Sequence, residues 1–99
     1  MYIVGRKKLD PKGRIVISAL FKTMPQSVVI VLCQDGNQTP RIEIMDAQQA
    51  PESLAHLAIK MNNSGRIVLP GWIREGREAD KVSLIIDGGR KFISFEDGE

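Results

Sequence analysis

Two arginines carry the first chemical signal. Arg14 ends the stretch Leu9-Asp10-Pro11-Lys12-Gly13, and Arg66 ends Met61-Asn62-Asn63-Ser64-Gly65. In each, a short polar residue (Asp10, Asn62) stands four positions before the arginine and a glycine (Gly13, Gly65) stands directly before it. Asp and Asn side chains bond to backbone two residues on, and glycine takes a positive φ without penalty, so both stretches read as tight turns that present a guanidinium. Further cations flank them: Arg6, Lys7, Lys8 and Lys12 in the first, Lys60 in the second, and Lys22 and Arg74 eight residues after each arginine. An ammonium meets phosphate as a point charge, whereas a guanidinium offers two parallel donors to phosphate or to a guanine edge. The chemistry on offer is polyanion binding. A plainer use also exists, in which Arg14 only pairs with Asp10 to brace its turn. Asn62 can cap a turn but cannot neutralise Arg66, which leaves that arginine freer for an outside anion.

Other chemistries lack their residues. The chain has one histidine (His56) and one cysteine (Cys33), so a zinc site and an intrachain disulfide are not expected. Cys33 ends an apolar run and reads as a buried, inert thiol, and His56 as a surface or helix-end residue. Asp10, Asp35 and Asp87 fall in turns, where carboxylates satisfy local backbone groups. No Ser/His/acid set or phosphate-loop motif is visible, so neither an enzyme nor a cofactor is expected. The longest apolar run, Val28 to Cys33, is far too short to span a bilayer, and no signal peptide precedes it. The expectation is a cytoplasmic protein with no membrane partner.

The elements that position the arginines come in duplicate. Residues 8–22 (KLDPKGRIVISALFK) align without a gap to 60–74 (KMNNSGRIVLPGWIR), with five of fifteen positions identical. The charge repeats too: net +5 over residues 1–24, −3 over 25–55, +3 over 56–74 and −3 over 75–99, for a total of +2. A basic face cancelled elsewhere can still focus a field toward a partner. Each copy predicts a strand (Tyr2 to Lys8; Ala58 to Met61), a turn, and a second strand (Arg14 to Ile17; Arg66 to Leu69). A short helix follows, capped by Ser18 in copy one and led by Pro70 in copy two, with Leu20/Phe21 and Trp72/Ile73 as its apolar side and Pro25 and Gly76 as its stops. A hairpin then closes each copy, turning at QDGNQTP or DGGR. On a period of two, Ile15 and Ile17 face one way while Arg14 and Val16 face the other. The expected layout is a single domain with a first repeat over 1–46, a connector with a helical turn or two over 47–57, a second repeat over 58–99 and a frayed tail FEDGE. Each half is too small to cover its own strands, so the two halves are expected to interleave into one barrel-like core with pseudo-two-fold symmetry.

The strings LDPKGRIVIS and MNNSGRIVLPGWIRE resemble the signature of the AbrB/SpoVT swapped-hairpin superfamily, and their duplication is similar to its tandem-repeat, MraZ-type form. Asp10 and Arg14 match the Asp-x-x-x-Arg motif fully, and Asn62 and Arg66 match it with the acid replaced. The resemblance implies a mainly β fold with short helices, a double-psi/swapped-hairpin AbrB-like β-barrel formed by two tandem repeats in one chain. It implies sequence-specific binding of double-stranded DNA in transcription regulation, a homo-oligomer and a nucleoid-associated location. By position, it assigns DNA contacts to Arg14, Lys22, Arg66 and Arg74, with Arg6, Lys7, Lys8 and Lys60 in support beside Lys12. Two alternatives stay open: the DNA-binding antitoxin of a toxin–antitoxin pair, with a toxin as protein partner, and a structural or assembly module that ignores DNA.

Overall fold

The computed structural model describes residues 1–33, 41–74 and 81–95. It is mainly β, with eight strands and three short helical segments in the described part. Strand β1 (Tyr2–Lys8) leads through the first turn to β2 (Arg14–Val16), a 3-10 helix (Ser18–Leu20), and the hairpin strands β3 (Ser27–Cys33) and β4 (Arg41–Asp46). A second 3-10 helix (Glu52–Leu57) connects to β5 (Ala58–Lys60) and β6 (Arg66–Val68), then helix α1 (Gly71–Arg74), then the hairpin of β7 (Lys81–Asp87) and β8 (Arg90–Phe95). The order strand, strand, short helix, hairpin therefore occurs twice. The turn between β3 and β4, Gly76 and the tail after Phe95 lie outside the described residues.

Six strands form one antiparallel sheet in the order β1-β7-β8-β4-β3-β5, and β2 pairs with β6 in a separate ladder. Each half lends its first strand to the other half's hairpin: β1 runs beside β7, with Lys8 opposite Lys81, and β5 runs beside β3, with Lys60 opposite Ser27. Exchanging the halves reads the strand order backwards and leaves it unchanged. The expected closed barrel is not formed by these ladders, because β1 and β5 remain edges of an open sheet. Edge β1 carries an irregularity between Ile3 and Gly5, a device that bends an exposed edge away from further pairing.

Alternation on a period of two sends Val28 and Ile30, Ile42 and Ile44, Val82 and Leu84, and Ile93 and Phe95 to one face, where they meet Ile15, Ile17, Ile67 and Leu69 in a single core. The β2–β6 ladder lids this core at the two-fold, with Ile15 directly opposite Ile67 and both buried. Removing either side chain to Ala would cost about 2–5 kcal/mol. On the other sheet face Phe92 is 4% exposed, because Arg41 and Arg90 stack on its ring at 4.6 and 5.0 Å. Arg90 also donates to Glu43 through Nε at 3.0 Å and Nη2 at 2.6 Å.

Local expectations differ from the structure at several points. Phe95, expected in the frayed tail, instead ends β8, buried in the core opposite Val82. β2 and β6 each end one residue early, at Val16 and Val68. Ser18 does not cap the first short helix: it is that helix's first residue, the cap position is Ile17, and no side-chain cap bond forms. Leu20 is buried as expected, but its counterpart Trp72 is 52% exposed and Ile73 takes the interior place in α1. A four-residue helix has one inward position per turn, and Ile73 fills it. Cys33 is half-buried rather than buried, at the end of β3, where the apolar face gives way. Strand β5 ends at Lys60, and Met61 turns inward with its N–H bonded to the Gln26 carbonyl at 2.9 Å. His56 is exposed in the last turn of the connecting 3-10 helix.

Candidate functional site

Both turns are built by the same hydrogen bonds. Asp10 Oδ1 accepts the backbone N–H of Lys12 at 2.9 Å and of Arg14 at 2.8 Å. Asn62 Oδ1 accepts those of Ser64 and Arg66, each at 2.9 Å. The Gly13 and Gly65 N–H groups bond back to the carbonyls of residues 10 and 62, at 2.9 and 3.0 Å. Gly13 and Gly65 have φ of 82° and 77°, a conformation that other L-residues resist. Each turn is then locked to the opposite strand, because the Gly65 carbonyl accepts the Ile17 N–H at 2.8 Å and the Gly13 carbonyl accepts the Leu69 N–H at 2.9 Å. The two turns thus cap opposite ends of one short ribbon, β2–β6.

On that ribbon, inward Ile15 and Ile67 leave Arg14, Val16, Arg66 and Val68 on the outer side. Arg14 stands opposite Val68, and Val16 opposite Arg66. The two arginines are therefore diagonal neighbours, about 7–8 Å apart. They share one exposed face, with two valines completing the square. A cleft of about 260 Å³ runs along it, lined by Lys7, Lys8, Asp10, Arg14, Ile15, Val16 and Arg66. Such a face combines two guanidiniums, two ammonium groups and apolar contact, which suits an anionic partner with an apolar surface between its charges.

The remaining expected residues are more scattered. Lys12 lies at the tip of the first turn, exposed. Arg6 is exposed on β1 opposite Ser83, and Lys60 is exposed at the end of β5. Lys22 is not with the arginines; it lines a different cleft, about 750 Å³, with Tyr2, Phe21 and Lys91 among its walls. Arg74 closes α1, and its side chain lies outside the described part. Val16 and Val68 are the members that charge-based reading of the sequence missed. Their signal was the same alternation that places Arg14 and Arg66 outside, since Val68 is 52% exposed.

The turns differ in electrostatics. Asp10 Oδ2 accepts from Arg14 Nε in an ion pair. The Asp10 carboxyl is held below its ordinary value of 3.8, chiefly by the Arg14 backbone N–H; desolvation opposes this, and the Arg14 guanidinium adds to the lowering. No group of three or more His, Cys, Asp or Glu that could hold a metal occurs among the described residues. No helix among the described residues is long and apolar enough to cross a membrane. In comparisons with protein-family models, curated proteins and solved structures, the chain matches none.

Proposed function

We propose that this chain is a sequence-specific DNA-binding regulator of the AbrB/SpoVT, MraZ-like type, which sets the β2–β6 ribbon against duplex DNA. The observation that carries this reading is the shared outer face of the ribbon, with Arg14 and Arg66 on one diagonal and Lys7 and Lys8 along the same cleft. A two-stranded ribbon is narrow enough for the major groove, where a guanidinium can bind guanine O6 and N7 together. Val16 and Val68 match thymine methyl groups or sugar faces, and the lysines match phosphates. The exchange of first strands between the halves supports the finer swapped-hairpin assignment, with one chain taking the place of a two-fold dimer. Homo-oligomer formation and a nucleoid-associated cytoplasmic location belong to the same reading.

The test is binding of the full chain to a random duplex pool at low salt, followed by anisotropy on the selected sequence. Binding should fall steeply with salt, by about 0.9 log unit per log unit of salt for each phosphate contact. The Arg14→Ala/Arg66→Ala double variant should lose most affinity while melting like the parent. Unchanged binding by that variant would refute the ribbon as the interface.

A further inference from the structure

The two turns have the same backbone bonds and different second atoms. In each, Oδ1 is spent on two backbone N–H groups. The remaining atom of Asp10 is a carboxylate oxygen, and it holds Arg14 through Nε. Because Asn62 Oδ1 is the acceptor of two N–H groups, the remaining atom of Asn62 is its amide nitrogen, a donor that no guanidinium can use. The Arg66 side chain is exposed and has no hydrogen-bond or ion-pair partner among the described residues. The asymmetry extends around the turns: the counterparts of Lys7 and Lys12 in the second copy are Ile59 and Ser64.

Resting on the DNA-binding reading above, we propose that the residues at 10 and 62 divide the work of the two arginines: Asp10 buttresses Arg14 as the reader of a guanine edge, and Asn62 leaves Arg66 as a phosphate anchor. The bond through Nε occupies the proximal donor of Arg14 and leaves both terminal amino groups free. Those two groups make the parallel pair of bonds to guanine O6 and N7, a contact that demands a fixed plane. Arg14 with Asp10 is also close to electrically neutral as a unit, so it adds little to non-specific attraction for phosphate. Arg66 carries its full charge on a mobile stem, which suits a contact that needs proximity rather than orientation. A two-fold scaffold then reads an operator that is not two-fold: one half carries a required guanine, and the other tolerates any base.

The experiment is selection from a random duplex pool, with salt slopes on the winner, for the parent, Asp10→Asn, Asn62→Asp, Arg14→Lys and Arg66→Lys, each first checked by thermal melting. The parent should select one guanine position that discriminates by roughly 5- to 150-fold. Asp10→Asn and Arg14→Lys should both relax that position, and Asp10→Asn should also strengthen binding to unrelated duplexes and steepen the salt slope by about 0.9. Asn62→Asp should add a second guanine preference and weaken non-specific binding, whereas Arg66→Lys should leave the selected sequence unchanged. The lysine variants keep the charge and leave both Asx turns intact, so they decide the matter even if the residue-10 or residue-62 variants fold poorly. If the parent binds no duplex, the DNA-binding reading falls and takes this division with it. If the parent binds but Arg14→Lys keeps the guanine preference, or Arg66→Lys loses an equal one, the division alone is wrong.

Discussion

Replacing Gly65 with Ala probes the contact on which the site's geometry depends. A Cβ at Gly65 would collide with the Met24 methyl and would lie 2.7 Å from Ser18 Cβ and 3.2 Å from Ser18 Cα. Met24 can swing aside, since it is 39% exposed, but Ser18 Cα is backbone in the first short helix. Two costs add. Holding alanine at a φ of +77° costs about 1–2 kcal/mol. Forcing the turn away from Ser18 adds about 1–3 kcal/mol, as overpacking does elsewhere. Alanine returns about 0.4–1 kcal/mol by restricting the unfolded chain. The net is about 3 kcal/mol. With an unfolding entropy near 2.1 cal/mol/K per residue, a 99-residue chain should lose about 15 °C in Tm. Gly88→Ala is the control, because Gly88 also has a positive φ, +59°, yet a Cβ there meets nothing within 4 Å. It should lose only about 1 kcal/mol, or about 5 °C. The assay is thermal melting followed by circular dichroism, repeated with urea midpoints. Equal losses for the two variants would refute the close approach of the second turn to Ser18.

Three further outcomes follow from the fold. Fragments 1–46 and 47–99, each unfolded alone by circular dichroism, should recover β signal when mixed, since β1 and β5 find their partners only across the cut. Glu43 is held below its ordinary value of 4.5, first by the hydrogen bond from Arg90, with desolvation opposing, so its pair stabilises the fold above that pH and the contribution fades as pH falls through the lowered value. Glu43→Gln should therefore lose about 1 kcal/mol at neutral pH and progressively less as the pH falls below 4.5, measured by urea midpoints. Trp72, the sole tryptophan and 52% exposed, should emit like a solvated indole and be quenched readily by acrylamide, with little change in that emission on unfolding.

Local chemistry was legible in the sequence, and pairing between distant strands was not. Asp10 and Asn62 each sit four residues before an arginine that opens a strand, with a glycine directly before that arginine, and that spacing alone defines the turns the structure contains. The second hairpin was readable from Asp87-Gly88-Gly89-Arg90, whose two glycines both take positive φ, as a two-residue hairpin turn requires. Duplication implied that the halves interleave. Which strand crosses over was hidden, because β1 beside β7 depends on pairs from Lys8 with Lys81 to Tyr2 with Ile86, far apart in the chain, that no local pattern encodes. The same limit explains Trp72. At the aligned position Leu20 packs inside, and only the placement of Ile73 against the core decides that the larger side chain turns outward. Within the candidate site, charge pointed to the arginines and lysines alike, but it could not separate Lys22, which lies just beyond the first short helix and lines a different cleft.

The exchange of first strands also sets a timetable for synthesis. On the ribosome, β5 emerges after β3 and can join a hairpin already made, since Lys60 meets Ser27 behind it. β1 emerges first and must wait for Lys81–Asp87, a delay of roughly 4–15 s at about 5–20 residues per second. During that interval its exposed Tyr2 and Ile3 stay available to any other unpaired strand, including the β7 of a neighbouring nascent chain. Two exchanges that are equivalent in the finished molecule are thus unequal in time, and crowded polysomes are where this chain would trade its first strand with a sibling.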